Sequence, residues 1–271
     1  MKLKFWKMSG AGNDFVCVDN LKQSLRLSRK QIAKLCHRQF GVGADGLLAL
    51  EPGSKDTDFR MRYYNADGGE AEMCGNGARC FARFAQKTTG TRKKEIRFDT
   101  AAGPVGAEFL GDEVRVELTS PNGLALNQKI SSSQGELTVH CLNTGVPHAV
   151  LFVEDIEKID IARLGAELRF HAAFQPKGSN INFAQVLGPN KVRVRTYERG
   201  VENETLACGT GVTAVALIAS LVKGFKSPVS VLVQGGDILK IFFKNEGGQF
   251  TDVKLHGPAD FVFQGEIDVS L

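Results

Sequence analysis

Six cysteines punctuate the 271-residue chain, at positions 17, 36, 74, 80, 141 and 208. No two stand as C-x-x-C. The histidines His37, His140, His148, His171 and His256 add no spacing suited to zinc, so no metal is expected. A cysteine is by default a small buried apolar residue, and that is the reading for Cys17, Cys36, Cys80 and Cys141. Cys74 and Cys208 differ, because each opens the same tetrapeptide: Cys74-Gly75-Asn76-Gly77 and Cys208-Gly209-Thr210-Gly211. Each stands just before a helical pattern. A thiol at a helix N-terminus meets the positive end of the helix dipole and unpaired N–H groups, which favour thiolate and lower its pKa toward neutrality. The glycines admit a ligand close to the backbone. The free N–H groups of each first turn make an anion site suited to a carboxylate.

The flanks show that the pair is not chance. Phe59-Arg60-Met61-Arg62-Tyr63-Tyr64-Asn65 precedes the first motif and Val192-Arg193-Val194-Arg195-Thr196-Tyr197-Glu198 the second. They align without a gap: apolar, Arg, apolar, Arg, any residue, Tyr, polar. Further back, Gly12 to Asp19 sits opposite Val146 to Val153, each a polar loop running into an apolar strand. In that alignment His148 mirrors Asp14. A repeat this long is a domain duplication, not a solenoid.

Each half therefore needs the same scaffold. The pattern predicts helices over Ser28 to Gln39, with Ser28 as N-cap, and Ile161 to Phe170. It predicts a second helix after each cysteine, ending at Gly90 and Gly224. Strands are expected over 47–50, 59–64, 95–98, 105–110 and 114–118, and over 181–186, 192–197, 229–233, 238–243 and 250–255. Val212 to Val222 is apolar on nearly all sides, as a helix buried all round would be. The fold class is α+β: two pseudo-symmetric domains, each a curved, mostly antiparallel sheet around a central helix, with the active site in the cleft between them. Thr119-Ser120-Pro121-Asn122-Gly123 marks the break. The domains are 1–118 and 119–262.

Two such thiols facing one α-carbon could take a proton from one side and return one to the other. Helix N-terminal donors would stabilise charge developing on the carboxylate. Inversion of configuration in this way needs no pyridoxal group, metal or other cofactor. Gly10-Ala11-Gly12 is a lone G-x-G bordering a ligand, not a dinucleotide fingerprint. With 42% apolar and 24% charged residues and a net charge of +4 spread along the chain, composition indicates a globular protein without a nucleic-acid footprint. The N-terminus alternates charge with apolar residues, unlike a secretion signal, and the longest apolar run is too short for a membrane span. Reduced thiols in the cytoplasm are expected.

The chain resembles the diaminopimelate epimerase family over essentially its full length. The likeness lies in Gly10 to Phe15, Gly41 to Gly46, Tyr64 to Gly68, Met73 to Cys80, Val146-Pro147-His148, Tyr197 to Gly200 and Ala207 to Gly211. It implies interconversion of LL- and meso-diaminopimelate by a homodimer. Cys208 would be base and Cys74 acid in the LL-to-meso direction. His148 and Glu198 would be accessory catalytic residues. Asn13, Asn65, Gly75, Asn76, Asn180, Glu198, Arg199, Gly209 and Thr210 would contact substrate. The C-terminal strand, about 263–271, would return to the first domain. Gly46 stands where some members carry Gln, and Val146 where some carry Asn, so neither is taken as a ligand. A proline racemase-like or phenazine-type isomerase of the same fold is the alternative reading. Against it stand Asn65, Asn180 and Arg199, a far-end set that a small substrate would not require.

Overall fold

The computed structural model describes residues 2–269. The chain forms two compact units. The first runs to Glu117 and resumes at Gly257, and the second covers Leu118–His256.

In the first unit the elements are β1 (Lys2–Gly10), β2 (Asn13–Asp19), α1 (Arg29–Cys36), β3 (Gly46–Pro52), β4 (Phe59–Asn65), β5 (Glu70–Ala71), α2 (Gly75–Thr89), β6 (Glu95–Thr100), β7 (Gly103–Leu110) and β8 (Glu113–Glu117). The second unit contributes β9 (Asn122–Ser132), β10 (Gly135–Asn143), β11 (Pro147–Phe152), α3 (Ile161–Arg169), β12 (Asn180–Gly188), β13 (Lys191–Glu198), β14 (Asn203–Thr205), α4 (Gly209–Val222), β15 (Val229–Leu232), β16 (Ile238–Glu246) and β17 (Gln249–Pro258). β18 (Asp260–Asp268) then pairs antiparallel with β1, Lys2 opposite Asp268.

The repeat is a repeat of topology. In the first unit β1 pairs with β2, β2 with β3, β3 with β4, β4 with β6, β6 with β7 and β7 with β8. In the second the same path runs β10, β11, β12, β13, β15, β16, β17. The parallel pairs fall at matching places: β2 with β3 and β4 with β6, then β11 with β12 and β13 with β15. A parallel strand covered on both faces needs an unbroken apolar run, and β3 (Leu47-Leu48-Ala49-Leu50) is buried along that run.

Each sheet wraps its own helix. α2 packs against β1, β2, β3, β4, β7 and β8, and α4 against β10, β11, β12, β13, β15 and β16. This explains why Val212 to Ala219 is buried without interruption. α2 admits one charged residue to its interior: Arg79 is fully buried and donates from Nε to the Pro258 carbonyl at 3.1 Å. Gly90 caps α2 in the left-handed conformation, φ 68°, which costs a glycine little.

Several boundaries differ from the sequence reading. α1 has the expected Ser28 cap, with a reciprocal bond to Gln31, but ends at Cys36 instead of Gln39. There the following loop folds back, Val42 N–H donating to the Leu35 carbonyl and Ala44 N–H to that of Cys36, both at 2.9 Å. Gly41 makes the tight return possible, since an added Cβ would lie 2.0 Å from the Lys34 carbonyl oxygen. The long β9–β10 hairpin lay outside the strands expected. The returning strand begins at Asp260, ahead of the expected 263, and positions 270–271 lie outside the described residues.

Candidate active site

Cys74 is the N-cap of α2. Its extended backbone (φ −138°, ψ 123°) turns the side chain over the first helical turn, where Sγ accepts from the Gly77 N–H at 3.5 Å. From the other side Asn13, the first residue of β2, presents its amide oxygen: Cys74 Sγ–H donates to Asn13 Oδ1 at 3.4 Å. Asn76 Nδ2 also reaches that oxygen, at 3.5 Å. The Asn13 amide is held in turn, Nδ2 donating to Asp45 Oδ2 at 2.7 Å. Behind it Arg38 bridges Asp14 and Asp45, and Lys7, buried in β1, pairs with Asp14 at 2.7 Å and donates to the Gly43 carbonyl. Burial works against ionisation of Asp14, but hydrogen bonds from Arg38 and Lys7 hold its carboxyl below the usual range.

The second unit carries the matching helix. Cys208 is the N-cap of α4 with its Sγ 3.5 Å from the Thr210 hydroxyl, and the Thr210 carbonyl is held by the Thr144 hydroxyl at 2.8 Å. His148 lies one residue into β11 and is buried. Burial, and secondly the Arg199 cation, push its imidazole down to about 3, so the ring is neutral near pH 7. Its tautomer follows from its neighbour. Asn182 Nδ2 donates to the Ala149 carbonyl at 3.1 Å, and Asn182 Oδ1 accepts from the Thr196 hydroxyl at 3.0 Å. The NH2 end of Asn182 therefore faces His148 Nδ1, 3.2 Å away, making Nδ1 an acceptor and leaving the proton on Nε2. Nε2 is buried without a hydrogen-bond partner among the described residues. A buried donor left unspent by the protein is suited to an acceptor brought by something else.

The other four cysteines behave as packing residues. Burial pushes Cys36 and Cys80 up to about 12 and raises Cys17 and Cys141 as well.

Comparison with known sequences decides the family. The sequence model described as diaminopimelate epimerase matches residues 5–123 and 140–262. A diaminopimelate epimerase of Aquifex aeolicus is 43% identical over 279 residues, 98% of each chain. One from Chromobacterium violaceum is 41% identical over 283 residues, 99% of this chain and 100% of that one. The chain belongs to the diaminopimelate epimerase family. The fold extends further. A Bacillus anthracis phenazine biosynthesis protein of the PhzF family superposes with a TM-score of 0.76 at 14% identity, over 98% of this chain and 99% of that one. A hydroxyproline epimerase from Agrobacterium vitis gives 0.71 at 16%, over 98% and 92%. At that identity the likeness is one of architecture.

For a diaminopimelate epimerase the expected ligands fall into local groups. In the first unit Asn13, Cys74 and Asn76 share hydrogen bonds, with Gly75 between the last two. Asn65 is exposed at the end of β4, its backbone turning through Gly68 and Gly69. In the second unit Asn180 pairs with His148 across β11 and β12. Its amide is engaged at both ends, Nδ2 on the Pro147 carbonyl at 2.9 Å and Oδ1 on the Arg199 N–H at 2.8 Å. It thus fixes the turn that carries Arg199. Glu198 ends β13 and accepts from the Thr205 hydroxyl at 2.8 Å. Gly209 and Thr210 form the first turn of α4 beside Cys208. The Gly46 departure has a steric counterpart: an added Cβ would lie 2.5 Å from the Tyr64 carbonyl oxygen and 2.8 Å from the Tyr63 ring. Asp45 and Asn182 were not picked out from sequence. Asn182 left a signal there, being an amide between Ile181 and Phe183 in an expected strand.

Proposed function

We propose that this chain interconverts LL- and meso-diaminopimelate, with Cys208 removing the α-proton and Cys74 supplying one in the LL-to-meso direction, and the roles exchanged in reverse. The observation that carries this is the placing of Cys74 and Cys208 as N-caps of equivalent helices in two units of one topology, in a chain of this family. An α-proton of an amino acid is weakly acidic, and its loss builds charge on the carboxylate. Helix N-terminal donors at Gly75-Asn76 and Gly209-Thr210 supply fixed positive potential where that charge forms. One thiolate takes the proton from one face of the carbon while the opposite thiol delivers to the other, so configuration inverts without pyridoxal phosphate or metal. Neutral His148, with its Nε2–H unspent, and Glu198 assist as hydrogen-bonding partners of the reacting groups, and Asn182 positions the His148 ring. Arg199, Asn65, Asn13 and Asn180 serve the polar ends of the substrate, Arg199 forking onto a carboxylate. The working form is a homodimer, a reading supported by exposed Val262 and Phe263 on β18, and a cytoplasmic location rests on the reading of the cysteines as reduced thiols.

The test is α-deuterium incorporation into LL-diaminopimelate in deuterated water, without added cofactor and after chelation. Wild type should label and epimerise together. Cys74→Ala and Cys208→Ala should each lose at least roughly 10²–10⁴ in epimerisation rate, the contribution of a positioned acid or base. Near wild-type turnover by either variant, or dependence on added metal, would end the two-thiol reading.

A further inference from the structure

The amide of Asn13 could in principle face Cys74 with either end, and the two ends have opposite effects on a thiol. A carbonyl oxygen accepts from S–H and favours the protonated form, whereas an N–H donates to sulfur and favours thiolate. The choice is made elsewhere. A carboxylate can only accept, and Asp45 Oδ2 lies 2.7 Å from Asn13 Nδ2, so the NH2 end must face Asp45 and Oδ1 must face Cys74. Asp45 is itself held from several sides. Its Oδ2 accepts from the Asp14 N–H at 3.2 Å, its Oδ1 from Arg38 at 2.9 Å, and its own N–H donates to Asp14 Oδ1 at 2.9 Å.

We propose that Asp45 is a positioning residue for Cys74: its carboxylate fixes the Asn13 amide with the oxygen toward the sulfur, which holds Cys74 as the protonated thiol, set to give a proton. This deepens the reading of Cys74 as one of the two proton-carrying thiols and rests on it. The other thiol has a different neighbour, the Thr210 hydroxyl, which can donate to sulfur. The two N-caps are thus built unequally: Cys74 Sγ lies between an amide oxygen and the Gly77 N–H, whereas Cys208 Sγ has a hydroxyl beside it, and the proposal assigns the acceptor oxygen at Cys74 the deciding part.

Other groups also act on Cys74, among them the Gly77 N–H, which donates to the same sulfur at 3.5 Å and favours thiolate. On its own helix Cys80 is a buried thiol whose thiolate and that of Cys74 would repel, and Arg79 is the buried cation of the following turn. Beyond Asn13 the cluster of Lys7, Arg38, Asp14 and Asp45 pairs two cations with two carboxylates, so its formal charges cancel. What it passes on is an orientation.

The experiment follows the pH dependence of alkylation at Cys74 and Cys208 separately, by peptide mass spectrometry after brief iodoacetamide treatment of the intact, substrate-free protein. Asp45→Asn, nearly the same shape, can offer Asn13 a donor and so lets its amide turn. The Cys74 midpoint should fall by about one pH unit, tenfold more thiolate at fixed pH, the scale of one hydrogen bond to a charged group. The Cys208 midpoint should stay put, and Asp45→Glu should restore the wild-type Cys74 value. Asn13→Ala removes the oxygen and should shift Cys74 in the same direction. Loss of the Asp45 charge could itself favour thiolate through the field, so Asp45→Asn is repeated in the Asn13→Ala background, where an effect acting through the amide vanishes and a field effect persists. An unshifted Cys74 in Asp45→Asn or in Asn13→Ala, or a shift that survives in the double variant, overturns the proposal. Because alkylation needs no turnover, these outcomes are separate from loss of epimerisation in Cys74→Ala, which tests the underlying reading.

Discussion

Gly77 and Gly211 occupy the same place in the two C-G-x-G motifs, yet the surroundings give them different tolerances. At Gly77 an added Cβ would find Phe15 Cζ at 3.3 Å and Cys74 Cβ at 3.5 Å, contacts that a small ring movement relieves. At Gly211 it would lie 2.4 Å from Asn182 Oδ1, with Cys208 Cβ and Sγ both at 3.3 Å. Asn182 has no solvent exposure, and its amide is tied to Ala149, Thr196 and His148. Replacing helical glycine by alanine returns about 1 kcal/mol of helix propensity at either site. At Gly77 that gain offsets the slight crowding, and stability should change by less than about 1 kcal/mol. At Gly211 relief needs a displacement of about 1 Å. Overpacking of this kind costs about 1–3 kcal/mol. Loosening the Asn182 bonds to Ala149, Thr196 and His148 adds about 1 kcal/mol for each bond lost. The net loss for Gly211→Ala should be about 3 kcal/mol. Epimerisation should fall about 10²-fold, because Cys208 and His148 are both shifted from their geometry. Urea unfolding midpoints and initial rates for the two alanine variants, measured side by side, make the comparison. Equal stability of Gly77→Ala and Gly211→Ala, or turnover of Gly211→Ala within a few-fold of wild type, would refute the argument from Asn182.

His148 supplies a pH signature. Its folded value of about 3 lies below the ordinary 6.5, so the unfolded chain binds the extra proton between them. Its contribution to stability is full above about 6.5 and is lost as pH falls toward 3, by about 1.4 kcal/mol per unit within that window. His148→Gln should remove this component, and urea midpoints at pH 4 and 7 that fall equally in variant and wild type would contradict it. Arg199→Ala and Asn65→Ala should lower kcat as well as raise KM, because binding energy at the far end of the substrate helps place the reacting carbon. Unchanged efficiency on diaminopimelate would point to a smaller true substrate.

Much of this molecule is legible in its sequence where local chemistry decides. The two tetrapeptides announced the helices that Cys74 and Cys208 cap, Gly90 marked an end of one, and the apolar run from Val212 announced a helix buried on every side. The β9–β10 hairpin was not legible, because β9 buries only Ile130 and keeps most of its length exposed, so no alternation marks it. Its strand is further broken by Asn127 in the left-handed conformation (φ 54°) and by register shifts. Lys7 reads as one more charge on an alternating strand, yet it is buried, because Asp14 and the Gly43 carbonyl meet it. Asp45 was missed for the same reason. Its partners Asn13, Asp14 and Arg38 come from separate segments, and no pattern along the chain joins them before the fold does.

The pairing of β1 with β18 has a consequence for how the protein is made. Leu3, Phe5, Val16 and Leu47 share one hydrophobic cluster with Val269, and Gln31 donates to the Val269 carbonyl at 3.2 Å. The first unit therefore lacks an outer strand and part of its core until the residues after Gly257 have been made. The second unit is continuous from Leu118 to His256, so its strands are made before β18 is. Of the two units, the one that starts first is completed last. Closing so long a loop adds only modest entropy, about 0.6 kcal/mol per doubling of length, so the delay is one of order and not of final stability. During that interval β1 has an unpaired edge beside an open apolar core, which is the state most exposed to aggregation and to chaperones. Truncations that remove β18 should for this reason damage the N-terminal unit first, although the missing residues belong to the other end of the chain.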